Sequence, residues 1–165
     1  MKFNLDAMTP SDWEQVCAIY AEGVATDNAT FETEAPGWAA WDLGHLPECR
    51  LVARAADRVI GWASLSAVSR RKVYAGVAEV SIYIAADVRG RGVGDTLMAA
   101  LVAESEAHGF WTLQSAVFQE NQASVKLHLR HGFREVGRRE RIAKRDGVWR
   151  DTIIFERRSR IVGVE

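Results

Sequence analysis

The sequence has only two cysteines, Cys17 and Cys49, and neither sits in a C-x-x-C pair. Without close spacing between them, a reducing compartment is the simplest context, and a single bridge is left open. No run approaches the roughly 18 apolar residues that a membrane-spanning helix needs. The opening stretch, Met1 to Asp6, carries no apolar signal core, so a cytoplasmic location without a membrane partner is expected. An excess of charge is missing too: the net charge is -1 and the pI is near 6.4. A general nucleic-acid binder would normally be basic, so no nucleic-acid partner is expected. Repeats, linkers and low-complexity tracts are absent, and 165 residues suit one domain spanning 1–165. With 48% hydrophobic and 26% charged residues, the composition is that of a soluble globular protein.

The cations that are present cluster at Arg70 to Lys72, Arg89 to Arg91 and Arg138 to Arg145. Local cationic sites in a near-neutral chain suggest a small anionic ligand. The stretch from Glu79 to Ala107 organises the rest. Glu79-Val80-Ser81-Ile82-Tyr83-Ile84 reads as a strand, with Val80, Ile82 and Ile84 apolar and β-branched on one face. Arg89-Gly90-Arg91-Gly92-Val93-Gly94 follows, and then a helix with Val93, Leu97 and Leu101 at i, i+4 and i+8. Strand, glycine turn and helix in that order make an anion cradle. Glycines let backbone N–H groups converge, and the first helical turn adds unpaired N–H groups and a positive dipole end. The expected ligand is a phosphate group. Neither common nucleotide fingerprint fits, however. Asp95 stands where G-x-G-x-x-G needs its third glycine, and no Lys-Ser or Lys-Thr follows to make a P-loop. What remains is R-x-x-G-x-G, filled by Arg89, Gly92 and Gly94; taken alone, it could equally be a basic solvated turn.

The flanks read as alternating short elements. Lys2 to Met8 is a candidate strand, and Thr9-Pro10-Ser11-Asp12 starts a helix with a stripe of Trp13, Val16, Cys17 and Tyr20, ending near Gly23 or Ala25. Thr26 to Ala35 is a loop, and a short helix from Pro36 to about Gly44 holds Trp38, Trp41 and Leu43. Arg50–Arg54 and Val59–Val68 read as strands, and Ser69–Gly76 as a cationic loop. The central helix stops at His108-Gly109, where glycine suits the position past a helix end. Trp111–Phe118 is a strand and Asn121–His131 a helix. Phe133–Ala143 and Val148–Glu156 form a hairpin about Arg145-Asp146-Gly147.

Set between that strand and helix, the R-x-x-G-x-G turn resembles the coenzyme A pyrophosphate loop of the GNAT N-acetyltransferases. Asn121, Ser124, Leu127, His128, Gly132 and Phe133 are similar to a second pattern of that superfamily, N-x-x-S-x-x-L-[YH]-x-x-x-G-F. The segment Ala78–Ile84 with Tyr74 before it, Gly147-x-Trp149-x-Asp151, and Phe31-Glu32-Thr33-Glu34 resemble the phosphinothricin and methionine sulfone or sulfoximine acetyltransferases. The resemblance runs from about Phe3 to Phe155. It implies an α/β (α+β) GNAT fold, with a mixed, mainly antiparallel sheet of six or seven strands flanked by helices. It also implies acetyl-CoA as donor, a small amino-acid-like amine as acceptor, a homodimer, and a bulged central strand splayed from its neighbour. Alternatives are a GNAT enzyme acting on protein or other amines and a non-catalytic coenzyme A-binding regulatory module.

Residue roles follow from the same resemblance. Glu79 matches the proposed general base, a carboxylate raised in pKa by partial burial; an edge carboxylate paired with a cation such as Arg71 is the other reading. His128 stands where many GNAT enzymes place a tyrosine thought to protonate the departing thiolate, or else packs against cofactor or core. The pyrophosphate would rest on Arg89, Gly90, Arg91, Gly92, Val93, Gly94 and Asp95. Tyr83 and Ile84 would offer backbone groups to the pantetheine arm, and Asn121 and Ser124 would line it; capping its helix is a second, compatible role for Asn121. Arg71 and Tyr74 match an R-x-x-Y substrate loop, with Phe31 as a further wall or as packing. His128 and His131 are three apart but lack a third ligand, so no metal is expected. His45 and His108 read as surface residues at helix ends.

Overall fold

In the computed structural model, which describes residues 1–165, seven strands and four α-helices form one sheet with helices on both faces. The strands are β1 (Asn4–Ala7), β2 (Leu51–Ala55), β3 (Arg58–Ala67), β4 (Val77–Ile84), β5 (Thr112–Phe118), β6 (Arg134–Arg145) and β7 (Val148–Arg158). The helices are α1 (Trp13–Val24), α2 (Trp38–Gly44), α3 (Val93–Ala107) and α4 (Gln122–Arg130). Sheet order is β1-β2-β3-β4-β5-β7-β6, and every adjacent pair is antiparallel except β4 with β5. The organising strand is therefore interior, fourth of seven.

Successive residues of β4 serve opposite faces, as the two-residue strand period requires. Tyr83 packs on Tyr20 of α1 with ring centroids 4.8 Å apart, and it stacks on Trp62 of β3 at the same separation. Ile84 turns to the other face, where its side chain and that of Leu97 of α3 close over Gly61. The expected α3 stripe is buried: Val93, Leu97 and Leu101 join Trp62, Leu65 and Phe155 in the main core. Each such side chain contributes roughly 1.5–3 kcal/mol by leaving water. Gly23 on α1 is required for the approach to β4, since a Cβ there would stand 2.6 Å from the Tyr83 ring.

Several boundaries differ from the sequence reading. The first turn, Pro10–Asp12, is a 3-10 segment ahead of α1, steadied by Thr9 N–H donating to Asp12 at 2.9 Å. Of the short-helix apolar set, Trp41 is buried but Leu43 is 90% exposed, because a seven-residue helix has room to bury only one stripe. His45 is no simple surface residue: it stacks on Trp41 at 4.1 Å, and burial pushes its imidazole pKa down. β4 begins at Val77, two residues early, where parallel pairing with β5 begins. No bulge interrupts β4, whose register against β3 runs unbroken from Ala67↔Ala78 to Gly61↔Ile84. Irregularities fall instead within β2–β3 and β6–β7. The hairpin turn is Asp146-Gly147, with φ of 48° and 79°, as an Asp-Gly turn requires.

Candidate active site

β4 and β5 pair at three positions only: Val77↔Thr112, Ala78↔Leu113 and Glu79↔Gln114. Beyond Glu79, β4 continues beside β3 alone, and β5 continues beside β7 alone. The expected splay is therefore present, without the bulge. It leaves one edge of Val80–Ile84 with no strand beside it.

At the near end of that edge stands Glu79. Its carboxylate is exposed and accepts a 3.4 Å hydrogen bond from Gln114 Nε2, a residue the motif reading missed. The Gln114 strand also holds Thr112 and Ser115, so nothing in the sequence alone singled Gln114 out. Neither the expected partial burial nor an arginine partner is found, because the strands open at this point and Arg71 faces elsewhere. Arg71 lies over the Tyr74 ring at 5.4 Å, so the two predicted substrate-loop residues do meet, and Tyr74 is exposed.

At the far end lies the glycine turn. Gly90 and Gly92 adopt φ of 75° and 84°, a region costly for other residues, and Gly92 is the N-cap of α3. A Cβ on either would meet nothing within 4 Å, so the turn borders open space into which a ligand fits. Thr96 N–H is the first to close on the Gly92 carbonyl, at 3.1 Å, leaving the preceding N–H groups of the turn free of helical partners. Arg89 braces the turn by donating from Nε to Ile84 O at 3.1 Å. One predicted member turns away. Asp95 is held by Arg130 at 2.9 and 3.0 Å and by His131 at 3.2 Å. Partial burial works to raise its pKa, but those hydrogen bonds outweigh it and hold the carboxyl below the usual range. Its side chain therefore anchors α3 to α4, and only its backbone N–H belongs to the cradle.

The α4 residues take the structural alternative in each case. His128 is 1% exposed, edge-on to Phe133 at 4.9 Å and stacked on Phe155 at 5.6 Å. Its Nδ1–H donates to Ser124 O at 2.8 Å, and burial holds its pKa below the ordinary imidazole value. Of the two readings open for His128, the enclosed ring fits the packed one, and its Nε2 has no hydrogen-bond partner. Asn121 caps α4, accepting from Ser124 N–H at 3.1 Å, while its Nδ2 donates to Asn28 O at 3.1 Å. Both ends of the amide are thus engaged. Ser124 is half-buried beside them.

Asn28 belongs to the α1–α2 loop that also carries Phe31. Two hairpin arginines unforeseen from the motifs hold this loop down. Arg145 donates to the carbonyls of Val24, Thr30 and Glu32 and to Asp27, and Arg150 donates to Asp27 O and Asn28 Oδ1 at 2.8 Å. Phe31 meets Phe118 of β5 edge-on at 4.7 Å, which puts it at the splayed end of that strand. On β4, burial and the neighbouring Tyr20 phenol push the Tyr83 hydroxyl pKa up, so it remains neutral. Cys17 is half-buried and Cys49 buried, and both are free; burial, then the Glu104 and Glu48 carboxylates, push the Cys49 thiol up to about 12. No helix is long and apolar enough to cross a membrane.

An open strand edge between a lone carboxylate and an amide-rich anion cradle is the architecture of an acyl-transfer enzyme that holds its donor by phosphate. Comparison with known proteins agrees. Residues 12–133 match the family described as Acetyltransferase (GNAT) family, and the chain belongs to that family. A phosphinothricin N-acetyltransferase of Alcaligenes faecalis is 32% identical over 156 residues, covering 88% of this chain and 77% of the relative. An L-methionine sulfoximine/L-methionine sulfone acetyltransferase of Pseudomonas paraeruginosa is 34% identical over 102 residues, covering 62% and 59% respectively. Among solved structures, a GNAT superfamily phosphinothricin acetyltransferase from Sinorhizobium meliloti in complex with AcCoA superposes with a TM-score of 0.88. It is 28% identical, with 100% of this chain and 92% of that one covered.

Proposed function

We propose that the protein moves acetyl from acetyl-CoA to the α-amine of a small amino acid ending in an anionic or strongly polar group. Phosphinothricin and the sulfone and sulfoximine of methionine are the model substrates. The observation that carries this reading is the loss of β4–β5 pairing directly after Glu79, with the glycine cradle at the other end of the freed edge. The activities for which the two relatives are named point to the same substrate class, and the cationic Arg70–Lys72 loop suits it.

In this reading the donor's pyrophosphate rests on the N–H groups from Gly90 to Asp95, with Arg89 and Arg91 adding charge. Hydrogen bonds to charged groups contribute about 1.5–3 kcal/mol each, more than the roughly 0.3–1 kcal/mol of the helix end. Backbone groups of Tyr83 and Ile84 hold the pantetheine arm along the open edge, and Asn121 and Ser124 shape its other side. Glu79, reached by water because it is exposed, takes a proton from the ammonium group. The free amine adds to the thioester carbonyl, whose oxygen is held by a backbone N–H in the gap, and the C–S bond then breaks. A thiol with a pKa near ~8.5 leaves without an acid, so His128 takes no part. Arg71 and Tyr74 grip the polar end of the acceptor, and Phe31 closes a wall. Neither cysteine forms an intermediate.

We extend the proposal to one GNAT domain over 1–165 that works in the cytoplasm as a homodimer, with neither membrane nor nucleic acid as partner. Exposed Val136 on edge strand β6, and exposed Ile142, Val148 and Trp149 towards the hairpin turn, support a second copy there; sedimentation decides it. The reaction is tested by coenzyme A thiol release over a panel of phosphinothricin, methionine sulfone and sulfoximine, common amino acids, polyamines, aminoglycosides and a peptide amine. Turnover is expected on the first three. Preference for a polyamine or peptide would refute the substrate, and silence across the panel would refute catalysis on small amines.

A further inference from the structure

Away from the splayed strands, a second cluster of reactive side chains closes at the other end of α3. Cys49, at the entry to β2, points its sulfur at the last turn of that helix, where Glu104 and His108 stand one turn apart. A sulfur, a carboxylate oxygen and an imidazole nitrogen thus lie within 4.8 Å of one another, with Cys49 Sγ to His108 Nδ1 at 3.8 Å. They are the three donor types that zinc takes from proteins. In a tetrahedral zinc site, bonds of about 2.0–2.3 Å place neighbouring donors roughly 3.3–3.6 Å apart. The observed spacing therefore needs only a small inward turn of the exposed His108 and half-buried Glu104 side chains.

We propose that Cys49, Glu104 and His108 form a zinc site, with the fourth position open to water. Two of its ligands are preorganised by i, i+4 helical spacing, which puts them on one face. The third is fixed by a buried backbone with φ of 60°, uncommon for a residue other than glycine. His108 Nδ1 now bonds its own helix at Glu104 O, 2.9 Å away, but the His108 backbone N–H serves the same carbonyl at 3.0 Å. The ring can therefore turn its lone pair to a metal without orphaning that carbonyl, and Nε2–H faces solvent. Coordination exchanges the S–H bond for an S–Zn bond and releases the proton to water. The site is separate from acetyl transfer, since Glu104 lies twelve residues along the helix from Gly92, roughly 18 Å at about 1.5 Å per residue. Its role is to tie the loop before β2 to α3.

The test is titration of chelator-treated full-length protein with Co2+, whose thiolate charge-transfer absorption reports a Co–S bond, followed by displacement with Zn2+. One Co2+ per chain is expected, with the band bleached by Zn2+, absent in Cys49→Ala and retained in Cys17→Ala. His108→Ala and Glu104→Gln should each weaken binding at least tenfold. Both lie on the outer face of a stable helix, so they decide the matter even if Cys49→Ala folds poorly. No charge-transfer band, a band that survives Cys49→Ala, or unchanged binding in both helix variants would overturn the site.

Discussion

Along β4 and the turn after it, polar groups are left over at an open edge; along α4 most are engaged within the protein, and the exception, His128 Nε2, is buried without a partner. The open edge of Val80–Ile84, the Glu79 carboxylate and the first amides of α3 have few or no protein partners. On α4 the Asn121 amide is bonded at both ends, His128 is enclosed between Phe133 and Phe155, and Arg130 and His131 clamp Asp95. Both segments carry a family pattern, yet the first gathers its free groups on an open edge, whereas the unpaired His128 Nε2 of the second is enclosed. A buried polar group is normally satisfied within the protein, so unspent polar groups gathered on one edge point to chemistry.

The comparison can be broken from either side. The largest effect is expected at the cradle. Gly92→Val puts a β-branched residue at φ of 84° and a side chain into the open space beside it. Calorimetry should find coenzyme A binding lost while circular dichroism stays native; unchanged affinity would remove the cradle from the site. Next comes the acceptor grip. Arg71→Ala removes charged hydrogen bonds of about 1.5–3 kcal/mol, so KM for the amino acid should rise roughly 10- to 150-fold with the KM for acetyl-CoA unchanged. Steady-state kinetics in both substrates separates the two. Asn121→Ala, on the spent side, should act on stability first, lowering it by about 1 kcal/mol through the lost helix cap, as read by denaturant unfolding.

The smallest effect is a pH slope. Burial holds His128 and His45 below the ordinary value of 6.5, so the unfolded chain binds more protons just under that pH. Stability is then full above about pH 6.5 and falls as the pH drops below it. In His128→Phe, melting curves from pH 7 to 5 should show a shallower fall than in the unaltered protein; an identical slope would show that the ring is not buried neutral.

Legibility followed sequence distance. The strand, glycine turn and α3 lie within thirty residues, and local periodicity with two glycines was enough to place them. The Asp146-Gly147 hairpin was legible for the same reason. Contacts that span the chain were not. The opening of β4 from β5 was expected from the family resemblance alone, because it depends on where two strands 35 residues apart stop pairing. The burial of His128 depends on Phe155 of β7, and the loop bearing Phe31 is pinned by Arg145 from 113 to 121 residues away. A motif supplies residue types at a spacing; whether a side chain meets solvent or core is settled by elements outside it. For that reason the motif left His128 open between an acid and a packed ring, and the Cys49, Glu104 and His108 cluster was invisible until β2 and α3 were brought together.

The most direct test compares turnover of phosphinothricin by Glu79→Gln and His128→Phe, with folding checked by circular dichroism. The account predicts that kcat falls about a hundredfold or more in Glu79→Gln, recovering partly at high pH as free amine accumulates. It predicts that kcat in His128→Phe stays within a fewfold. A Glu79→Gln enzyme of ordinary rate beside a folded but inactive His128→Phe enzyme would contradict it.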